Sequence, residues 1–448
     1  MEIKQGFFDE MKNILPSNEF DDFCSALNTP YKKGLVVNLN KVSESDFLSN
    51  VYYEMKKLPY GQSCFLLDND NKLGGEILHR AGAFYLQEPS AMIPGIVLPI
   101  KNSDIVLDVC ASPGGKTFQI ARRLQGSMLS NEIDFSRAKT LLSNVERLGL
   151  NNVVVSNFSS QDLAKYYPNK FDCIIIDAPC SGEGMFRKED YAREQWSKEY
   201  VLQCANMQNE IIRNINQTLK TGGYLVYSTC TFSIEENEMN VAKLVDMGYE
   251  IVDIGTIAGE SKGVKIDKYN TDLCKRFYFH KAFGEGQFVA LLKKTAQTET
   301  SHRKERIIKK VGNSYRKLVV DFVCENADEQ LQKLIENNLY AKNDAIYYTK
   351  NAELLVRDNA VLSYGVKLGN IVKGRFEPCH NLFTAFGNYF NKQIDVNKKD
   401  ADKYLKGETL ASTLDNGWCV VTYLSVVLGG GKIVNGIVKN HYPKGLRK

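Results

Sequence analysis

Short apolar segments alternate with longer helical segments between residues 101 and 295. The segment "DIVLDVC" precedes "GKTFQIARRL", and "KFDCIIIDAP" precedes a helical segment at about 199–219. Strands that alternate with helices of ten or more residues favour a parallel sheet covered by helices on both faces. The pattern therefore predicts an α/β fold with a doubly wound, mostly parallel sheet. Ligands of such sheets bind beyond the carboxyl ends of the strands, so a site is expected at that edge.

The chain has 448 residues, which exceeds a single ordinary core and predicts several regions. We expect a small N-terminal α/β extension over residues 1–90 and the doubly wound core over residues 91–295. The polar, basic sequence "KKTAQTETSHRKERIIKK" interrupts the alternation and predicts a linker over residues 296–316. Residues 317–448 contain short strand-like runs with glycine turns and are predicted to form a β-rich C-terminal region.

Composition and residue spacing exclude several kinds of site. The 11 cysteines contain no Cys-x-x-Cys pair and the five histidines are never spaced as metal ligands, so no metal site is expected. No apolar stretch is long enough to span a bilayer and the N-terminus has no secretory segment, which predicts a cytoplasmic protein without a membrane partner. No long exposed apolar stripe appears, which favours a monomer. The net charge of +4 permits a polyanionic partner without requiring one.

The glycine-rich turn "ASPGGKT" at residues 111–117 ends like the phosphate-binding loop of an ATPase. That loop needs a glycine six residues before the lysine, where this chain has Cys110, and Pro113 lacks a backbone N–H donor. An ATPase site is therefore excluded. What remains is a strand, a tight Gly114-Gly115 turn and a helix, which lets the backbone approach a ligand closely.

An acidic residue after the second strand of the core would accept hydrogen bonds from the two hydroxyls of a ribose. Glu132 is at that position. A glycine turn with such an acid is typical of an S-adenosylmethionine site, whose ligand has an adenosine but no phosphate. The alternative is an ordinary glycine turn beside a surface acid.

Two cysteine motifs each follow a predicted strand. They are "IDAPCSGEGMFRK", with Asp177 and Cys180, and "YSTCTFSIEENE", with Cys230. Because parallel strands end at one edge, both thiols are expected to flank one crevice together with Asp177. Most cysteines are buried and inert, but a loop position after a strand favours a catalytic role for at least one of them.

Four segments carry a resemblance to a known family. In chain order, "VLDVCASPGGKT", "NEIDFSR", "DAPCSGEGMFRK" and "STCTFSIEENE" resemble successive motifs of the NOL1/NOP2/Sun family of RNA cytosine-C5 methyltransferases. "LQEPSAM" and "GEGQFVALLKK" resemble its flanking motifs. The final "GKIVNGIVKNHYPKGLRK" resembles the tail of the bacterial RsmF-like branch, which modifies small-subunit ribosomal RNA and ends in a PUA-like RNA-binding domain.

The resemblance implies a Rossmann-like class I methyltransferase core that uses S-adenosyl-L-methionine. It assigns the nucleophile that adds to C6 of cytosine to Cys230, the group that helps to release the product to Cys180, and contact with the cytosine edge to Asp177. Many relatives place an aspartate against the adenine, but Ser159 stands at that position, so Asn157 or Asp162 is expected there instead. The expected cofactor-binding residues are Cys110, Ala111, Ser112, Pro113, Gly114, Gly115, Lys116, Glu132, Arg137, Asn157 and Asp177.

The implied substrate is a cytosine of 16S ribosomal RNA, either as free RNA or in the assembled 30S particle. Arg187 and Lys188 are expected to contact RNA phosphates, and Phe186 to offer an aromatic surface. The basic segments "HRKERIIKK" and "KNHYPKGLRK" are expected to contact phosphates as well. Two alternatives stay open, namely the same chemistry on tRNA and a non-catalytic RNA-binding or ribosome assembly factor.

Overall fold

A ten-stranded sheet forms the centre of the fold. The computed structural model describes residues 3–68, 73–297, 308 and 310–447. The strands of the central region are β5 (Ile105–Asp108), β6 (Ser127–Asn131), β7 (Val153–Ser156), β8 (Phe171–Asp177), β9 (Leu219–Thr229), β10 (Tyr249–Val252), β11 (Glu260–Lys262), β12 (Lys275–Phe277) and β13 (Gln287–Lys294). Its helices are α5 (Pro89–Val97), α6 (Gly115–Ala121), α7 (Phe135–Leu148), α8 (Ser160–Tyr166), α9 (Asp190–Gln195), α10 (Lys198–Ile215) and α11 (Glu238–Asp246).

The strand order shows how the sheet is wound. The order is β11-β12-β13-β9-β8-β5-β6-β7, with β10 also paired to β13. The five strands from β9 to β7 are parallel, whereas β10 to β13 are added antiparallel. The chain runs from β5 outward to β7 and then returns to β8 on the other side of β5, which makes a topological switch point. The predicted doubly wound α/β fold is confirmed, although the antiparallel additions make the sheet mixed.

The two faces of the sheet have separate apolar cores because side chains alternate along each strand. In β5, Leu107 packs in the cluster that includes Leu163 of α8 and Ile212 of α10. Its neighbour Val106 packs in the other cluster, with residues of α5, α6 and α7. Helices therefore cover both faces, and the polar ends of the strands remain for a site.

The N-terminal region precedes the core and packs against its loops. Its elements are α1 (Gln5–Ile14), α2 (Phe20–Ala26), β1 (Lys33–Val37), α3 (Glu44–Asn50), β2 (Met55–Lys57), β3 (Cys64–Leu67), α4 (Ile77–Arg80) and β4 (Phe84–Leu86). The strands form an antiparallel sheet in the order β2-β3-β1-β4. Phe7 and Phe23, from the first two helices, share one aromatic cluster with Trp196 and Phe232 of the core.

The C-terminal region is rich in strands, as predicted. Its helices are α12 (Asn313–Asn326), α13 (Glu329–Ile335), α14 (His380–Phe386) and α15 (Lys398–Lys406). Its strands are β14 (Leu339–Lys342), β15 (Ala345–Tyr348), β16 (Val361–Ser363), β17 (Val366–Val372), β18 (Arg375–Pro378), β19 (Gln393–Asp395), β20 (Leu410–Ala411), β21 (Gly417–Tyr423), β22 (Val426–Val434) and β23 (Ile437–Asn440). They form a four-stranded sheet, β14-β15-β17-β18, and a five-stranded sheet, β19-β21-β22-β23-β20.

One C-terminal strand belongs to the central sheet. Strand β16 pairs antiparallel with β7 and so completes the ten strands. Most of the predicted linker, residues 298–307 and 309, lies outside the described residues, as does most of "HRKERIIKK". Within the described part of the chain, no helix combines the length and the apolar character needed to cross a bilayer.

A buried ion pair ties β12 to α11 next to the expected thiol site. Arg276 is 1 % exposed and donates from Nε and Nη2 to the two carboxylate oxygens of Glu238, at 2.7 and 2.5 Å. Its Nη1 donates to the carbonyl of Phe232 at 2.7 Å, two residues after Cys230. Removing one partner of such a pair leaves the other charge buried and uncompensated.

We therefore expect Glu238→Ala to lower the free energy of unfolding by about 3–5 kcal/mol. Urea denaturation at neutral pH measures the change. The control is Glu353→Ala, because Glu353 pairs with Lys170 at the surface and its side chain is 64 % exposed. The control should lose at most about 1 kcal/mol. Equal losses for the two variants would contradict a structural role for the buried pair.

Candidate active site

The glycine turn lies between β5 and α6 and is held from outside by α7. Gly114 has φ +111°, a conformation that suits glycine, and it precedes the first residue of α6. The Ser112 hydroxyl donates to the Arg137 carbonyl, and Arg137 Nη2 donates back to the Ser112 carbonyl at 3.2 Å. The Asn144 amide also donates to the carbonyl of Pro113. Arg137 thus supports the glycine turn from the side of α7.

A cavity of about 190 Å³ opens over this turn. Most of the cofactor-binding residues predicted in the turn face it, together with Asp177 and Lys188, and the segment around β4 closes the other side. The lining consists of Tyr85, Leu86, Gln87, Glu88, Ala91, Cys110, Ala111, Ser112, Pro113, Gly115, Lys116, Asp177 and Lys188. Burial raises the pKa of the Cys110 thiol, so that this cysteine contributes an uncharged wall.

Several buried acceptor atoms around the turn have no hydrogen-bond donor among the described residues. Glu132 directly follows β6 and is 3 % exposed, and its Oε2 accepts no hydrogen bond from the described residues, although the Arg137 guanidinium lies 3.3 Å away. Asp108 ends β5, and only its Oδ2 has a donor, the hydroxyl of Thr117 at 2.7 Å. Gln87 Oε1 in the cavity wall is likewise unpartnered. S-adenosylmethionine carries an ammonium group and two ribose hydroxyls, which are the donors that these acceptors lack, so the residues fit this cofactor.

Asp108 and Gln87 were missed by the sequence interpretation. Burial raises the pKa of Asp108 to about 7, although the Thr117 hydrogen bond opposes the shift. A cationic donor next to Asp108 would restore its ionised form. The sequence did contain a signal for Asp108, because it is the acidic residue that ends "DIVLD" one step before the turn.

The predicted contact of Asn157 with adenine needs correction. Its amide Nδ2 donates to the carbonyls of Glu132 and Ile133, both at 2.7 Å, so this nitrogen is not available to a base edge. Ser159 caps α8 by accepting from the backbone N–H of Asp162, and its hydroxyl donates to the Asp162 carboxylate. Asn157 Nδ2 therefore holds the loop that carries Glu132 and does not hydrogen-bond to the adenine.

The two predicted thiols lie together at the carboxyl ends of β8 and β9. Cys180 Sγ and Cys230 Sγ are 3.3 Å apart. Asp177 lies beside them, where one carboxylate oxygen accepts from the Ser228 hydroxyl at 2.7 Å and the other from Lys116 Nζ at 2.7 Å. Since Lys116 belongs to the glycine turn, this ion pair connects the cofactor cavity with the thiol pair.

Burial and neighbouring groups shift the pKa values of Cys180 and Lys116. The hydrogen bond to Cys230 and burial together raise the pKa of Cys180 well above its ordinary value, so Cys180 stays a protonated thiol at neutral pH. Burial lowers the pKa of Lys116, but the Asp177 carboxylate outweighs burial and the net pKa is raised. Cys230 also contributes to the raised pKa of Lys116, so the two side chains lie within electrostatic reach of each other.

Two buried carboxylates, Glu183 and Glu236, join the Cys180 loop to the Cys230 loop, and we call them the carboxylate clasp. Glu236 accepts from the backbone N–H and the hydroxyl of Ser181, at 3.1 and 2.5 Å. Glu183 accepts from the backbone N–H of Phe232 at 2.7 Å and from Trp196 Nε1 at 2.7 Å. The clasp therefore bonds each loop at a residue close to its cysteine.

Further short contacts accompany the clasp. The Ser181 and Thr231 hydroxyls are 2.7 Å apart, and the backbone N–H of Gly184 donates to the Cys230 carbonyl at 2.8 Å. A Cβ on Gly184 would lie 2.8 Å from that carbonyl oxygen, so only glycine fits this approach. The clasp residues lie inside the two cysteine motifs, but nothing in the sequence pattern distinguished them from surface acids.

The predicted RNA contact of Arg187 is wrong. Its side chain is 1 % exposed and pairs with Glu285, which lies 98 residues further along the chain, and it also donates to the Thr29 hydroxyl. Phe186 is 1 % exposed in the aromatic cluster and offers no surface to RNA. Lys188 is exposed at the cavity, and its contact with a phosphate stays a prediction.

Three family models match successive parts of the chain. The model described as 16S rRNA methyltransferase RsmB/F matches residues 95–293. The N-terminal domain of 16S rRNA methyltransferase RsmF matches residues 3–89, and the RsmF PUA domain matches residues 391–448.

Curated relatives and solved structures agree with these matches. The ribosomal RNA small subunit methyltransferase F of Vibrio vulnificus is 31 % identical, over 99 % of this chain and 97 % of its own length. The protein of that name from Vibrio cholerae is 30 % identical with the same coverage. A methyltransferase homologue from Pyrococcus horikoshii is 25 % identical with a TM-score of 0.56, over 65 % of this chain and 100 % of its own. The structure of NSun6 from Pyrococcus horikoshii with SFG has a TM-score of 0.57 at 21 % identity, over 66 % of this chain and 99 % of its own, and supports the fold alone.

These matches confirm the family resemblance read from the motifs and the PUA-like end of the C-terminal region. They also confirm that the chain is a methyltransferase. On matches that extend over nearly its whole length, the chain belongs to the ribosomal RNA small subunit methyltransferase F family.

Proposed function

We propose that this protein methylates C5 of a cytosine in 16S ribosomal RNA, with Cys230 as the nucleophile. The observation that carries the proposal is the pair of thiols 3.3 Å apart, connected through Asp177 and Lys116 to the cofactor cavity. The names of the curated relatives support the RNA class.

The chemistry starts at C6 because C5 of cytosine is a poor nucleophile. The Cys230 thiolate bonds to C6, and the electron pair of the C5–C6 double bond becomes available at C5. S-adenosylmethionine, when bound, supplies the electrophilic methyl group that C5 takes up. A base then removes the C5 proton, the S–C6 bond breaks, and Cys230 leaves as a thiolate. Asp177 accepts a hydrogen bond from the cytosine amino group and orients the ring.

Cys180 is placed to act in the second half of the reaction. Its pKa is raised first of all by the hydrogen bond to Cys230. Once Cys230 is bonded to C6 it carries no negative charge, so this cause of the rise disappears and Cys180 ionises more readily. Cys180 releases its own proton to solvent, and the resulting thiolate accepts the C5 proton. The electron pair of the broken C5–H bond then re-forms the C5–C6 double bond, and the S–C6 bond breaks to release Cys230.

The target base has to leave its stack to reach these thiols. Unstacking a base costs roughly a few kcal/mol of free energy, and this cost is smallest in loops and unpaired segments. The N-terminal helices cover the far side of the cysteine loops through Phe7 and Phe23, so the base enters from the cavity side, near Lys188.

Cysteine variants test the chemistry. We expect Cys230→Ala to abolish methyl transfer while cofactor affinity stays unchanged. We expect Cys180→Ala to accumulate a covalent protein–RNA adduct, seen as a shifted band on a denaturing gel, because the S–C6 bond forms but the product is not released. Cys324→Ala is the matched control, since Cys324 is exposed on α12. An adduct formed by Cys230→Ala instead would reverse the two roles.

The substrate is tested in parallel with methyl-labelled cofactor. The wild-type protein is incubated with 30S subunits, naked 16S RNA or bulk tRNA, and bisulfite sequencing then locates any 5-methylcytosine. Label in tRNA alone would overturn the ribosomal substrate, and the absence of label in every RNA would favour a binding factor.

Glu132→Ala should weaken S-adenosylmethionine binding by about 10–100-fold, because hydrogen bonds to a charged acceptor contribute roughly 1.5–3 kcal/mol. Isothermal titration calorimetry measures the affinity. Glu250→Ala, on the exposed side of β10, is the control and should bind normally. Unchanged affinity of the Glu132 variant would remove this residue from the cofactor site.

The clasp residue Glu236 is expected to act by positioning the thiols. Glu236→Ala should lower single-turnover methyl transfer by about 10–100-fold, because small displacements of reacting groups are costly. Glu236→Gln should stay within a few-fold of the wild type, since its amide still bonds Ser181. Cofactor affinity is the control for both variants, and equal activities of the Ala and Gln variants would contradict the positioning role.

Glu236→Gln also changes how the stability of the protein depends on pH. Burial raises the pKa of Glu236 from 4.5 to about 7, so the folded protein holds a proton here that the unfolded chain has already released. The stability that this group contributes is therefore present below about pH 4.5 and is lost as the pH rises through about 7. Urea midpoints measured from pH 5 to 8 should fall less steeply for Glu236→Gln than for the wild type.

A further inference from the structure

A second cleft, of about 450 Å³, lies at the edge of the central sheet opposite the thiols. The lining residues from the central region lie just before β6 and β7, at the amino ends of these strands, whereas the thiols lie at the carboxyl ends of β8 and β9. The N-terminal region contributes the turn after β1, and the C-terminal region contributes the segments after β15 and α14. All three regions of the chain therefore meet at this cleft.

The cleft is positively charged and contains no acidic side chain in its lining. The cations are Lys41, Arg122, Arg123 and Lys350. Lys41 donates to the carbonyls of Ala81 and Arg147, and the two arginines donate to backbone carbonyls and to the Gln119 amide. Neutral acceptors of this kind satisfy N–H groups but do not cancel charge.

The charges remain unbalanced in the part of the chain that the structure describes. None of the four cations makes an ion pair with a described carboxylate, and Arg122 Nε is buried without an acceptor. Burial, and then the charge of Arg147, lower the pKa of Lys41 to about 7, as expected where no counter-charge is present. An anion in the cleft would offset this unbalanced positive charge.

The shape and polarity of the lining favour the phosphates of a nucleic acid over a protein partner. The larger aliphatic side chains in the wall, Leu124, Leu148 and Val427, are at most 5 % exposed, and the aromatic ring of the lining, Tyr389, is half-buried, so most of the surface offered is polar. Protein interfaces need an exposed apolar or aromatic centre, whereas phosphate contacts need cations and amides such as those of Gln125 and Asn388.

We propose that this cleft binds the phosphate backbone of the ribosomal RNA substrate, at a distance from the target cytosine. The choice of ribosomal RNA as the ligand rests on the proposed function, whereas the presence of a cationic cleft does not. Because the cleft and the thiols lie at opposite edges of one sheet, an RNA that contacts both has to pass around the side of the core. The cleft therefore adds affinity for a large folded RNA without touching the reacting base.

The test is a pair of variants with equal charge change. Lys350→Glu alters an exposed lysine of the cleft, and Lys262→Glu alters an exposed lysine on β11, at the other end of the sheet. Filter binding to naked 16S RNA is measured over a series of salt concentrations. Lys350→Glu should weaken binding about 10-fold and reduce the slope of log affinity against log salt by about 1, whereas Lys262→Glu should change affinity less than about two-fold.

Further measurements separate this inference from the proposed function. Gln125→Glu adds a charge to the lining without removing a cation and should also weaken binding. Methyl transfer by Lys350→Glu at saturating RNA should equal that of the wild type, with only KM raised. If Lys350→Glu weakens RNA binding but the wild-type protein methylates no cytosine, the cleft is still an RNA-binding site and the proposed function is wrong. Equal RNA affinities of the two lysine variants would contradict RNA binding by the cleft. A binding defect seen with 30S particles but not with naked RNA would also contradict it, since a ribosomal protein would then be the partner.

Discussion

The parallel pairing of β8 with β9 is the constraint on which the thiol pair depends. Its register places Asp177 opposite Ser228, and their side chains are hydrogen-bonded at 2.7 Å. Cys180 and Cys230 follow within three residues of these positions, so any shift of one strand along the other would separate the sulfur atoms. The long apolar runs of both strands, buried on the two faces of the sheet, hold this register.

Buried charge is distributed unequally around the site. At its periphery, Arg276–Glu238 and Arg187–Glu285 are complete pairs, each almost fully buried, and they anchor the strands and loops. Close to the reacting atoms, the carboxylates of Asp108 and of the clasp have no cation bonded to them among the described residues, and burial raises their pKa values. The framework is thus neutralised internally, whereas the clasp carboxylates accept hydrogen bonds from uncharged donors of the cysteine loops and Asp108 keeps one oxygen without a described donor; Asp177, paired with Lys116, is the exception beside the thiols.

Much of the fold was predictable because it depends on local patterns. Apolar segments separated by helices indicate parallel strands, and the turn and the cysteine motifs each follow a strand, so their convergence at one edge follows from topology. The role of Arg187 was not predictable, since its partner Glu285 is distant in the sequence and a charged residue in a motif looks like a solvated one. The same limit applies to Glu183 and Glu236, whose burial arises only when two loops meet. The hydrogen bonds of the Asn157 amide nitrogen to two backbone carbonyls were not predictable, because a sequence pattern does not show such contacts.

The attachment of β16 to β7 has a consequence for how the protein can be divided. The carbonyl of Ala360, just before β16, accepts from the backbone N–H of Asn157, whose side chain fixes the loop that carries Glu132. A fragment that ended after β13 would leave β7 as an unpaired edge and would remove one of the three hydrogen bonds that hold Asn157. The central region is thus not structurally independent, because the C-terminal region supplies the edge strand of its sheet and supports the loop that carries Glu132.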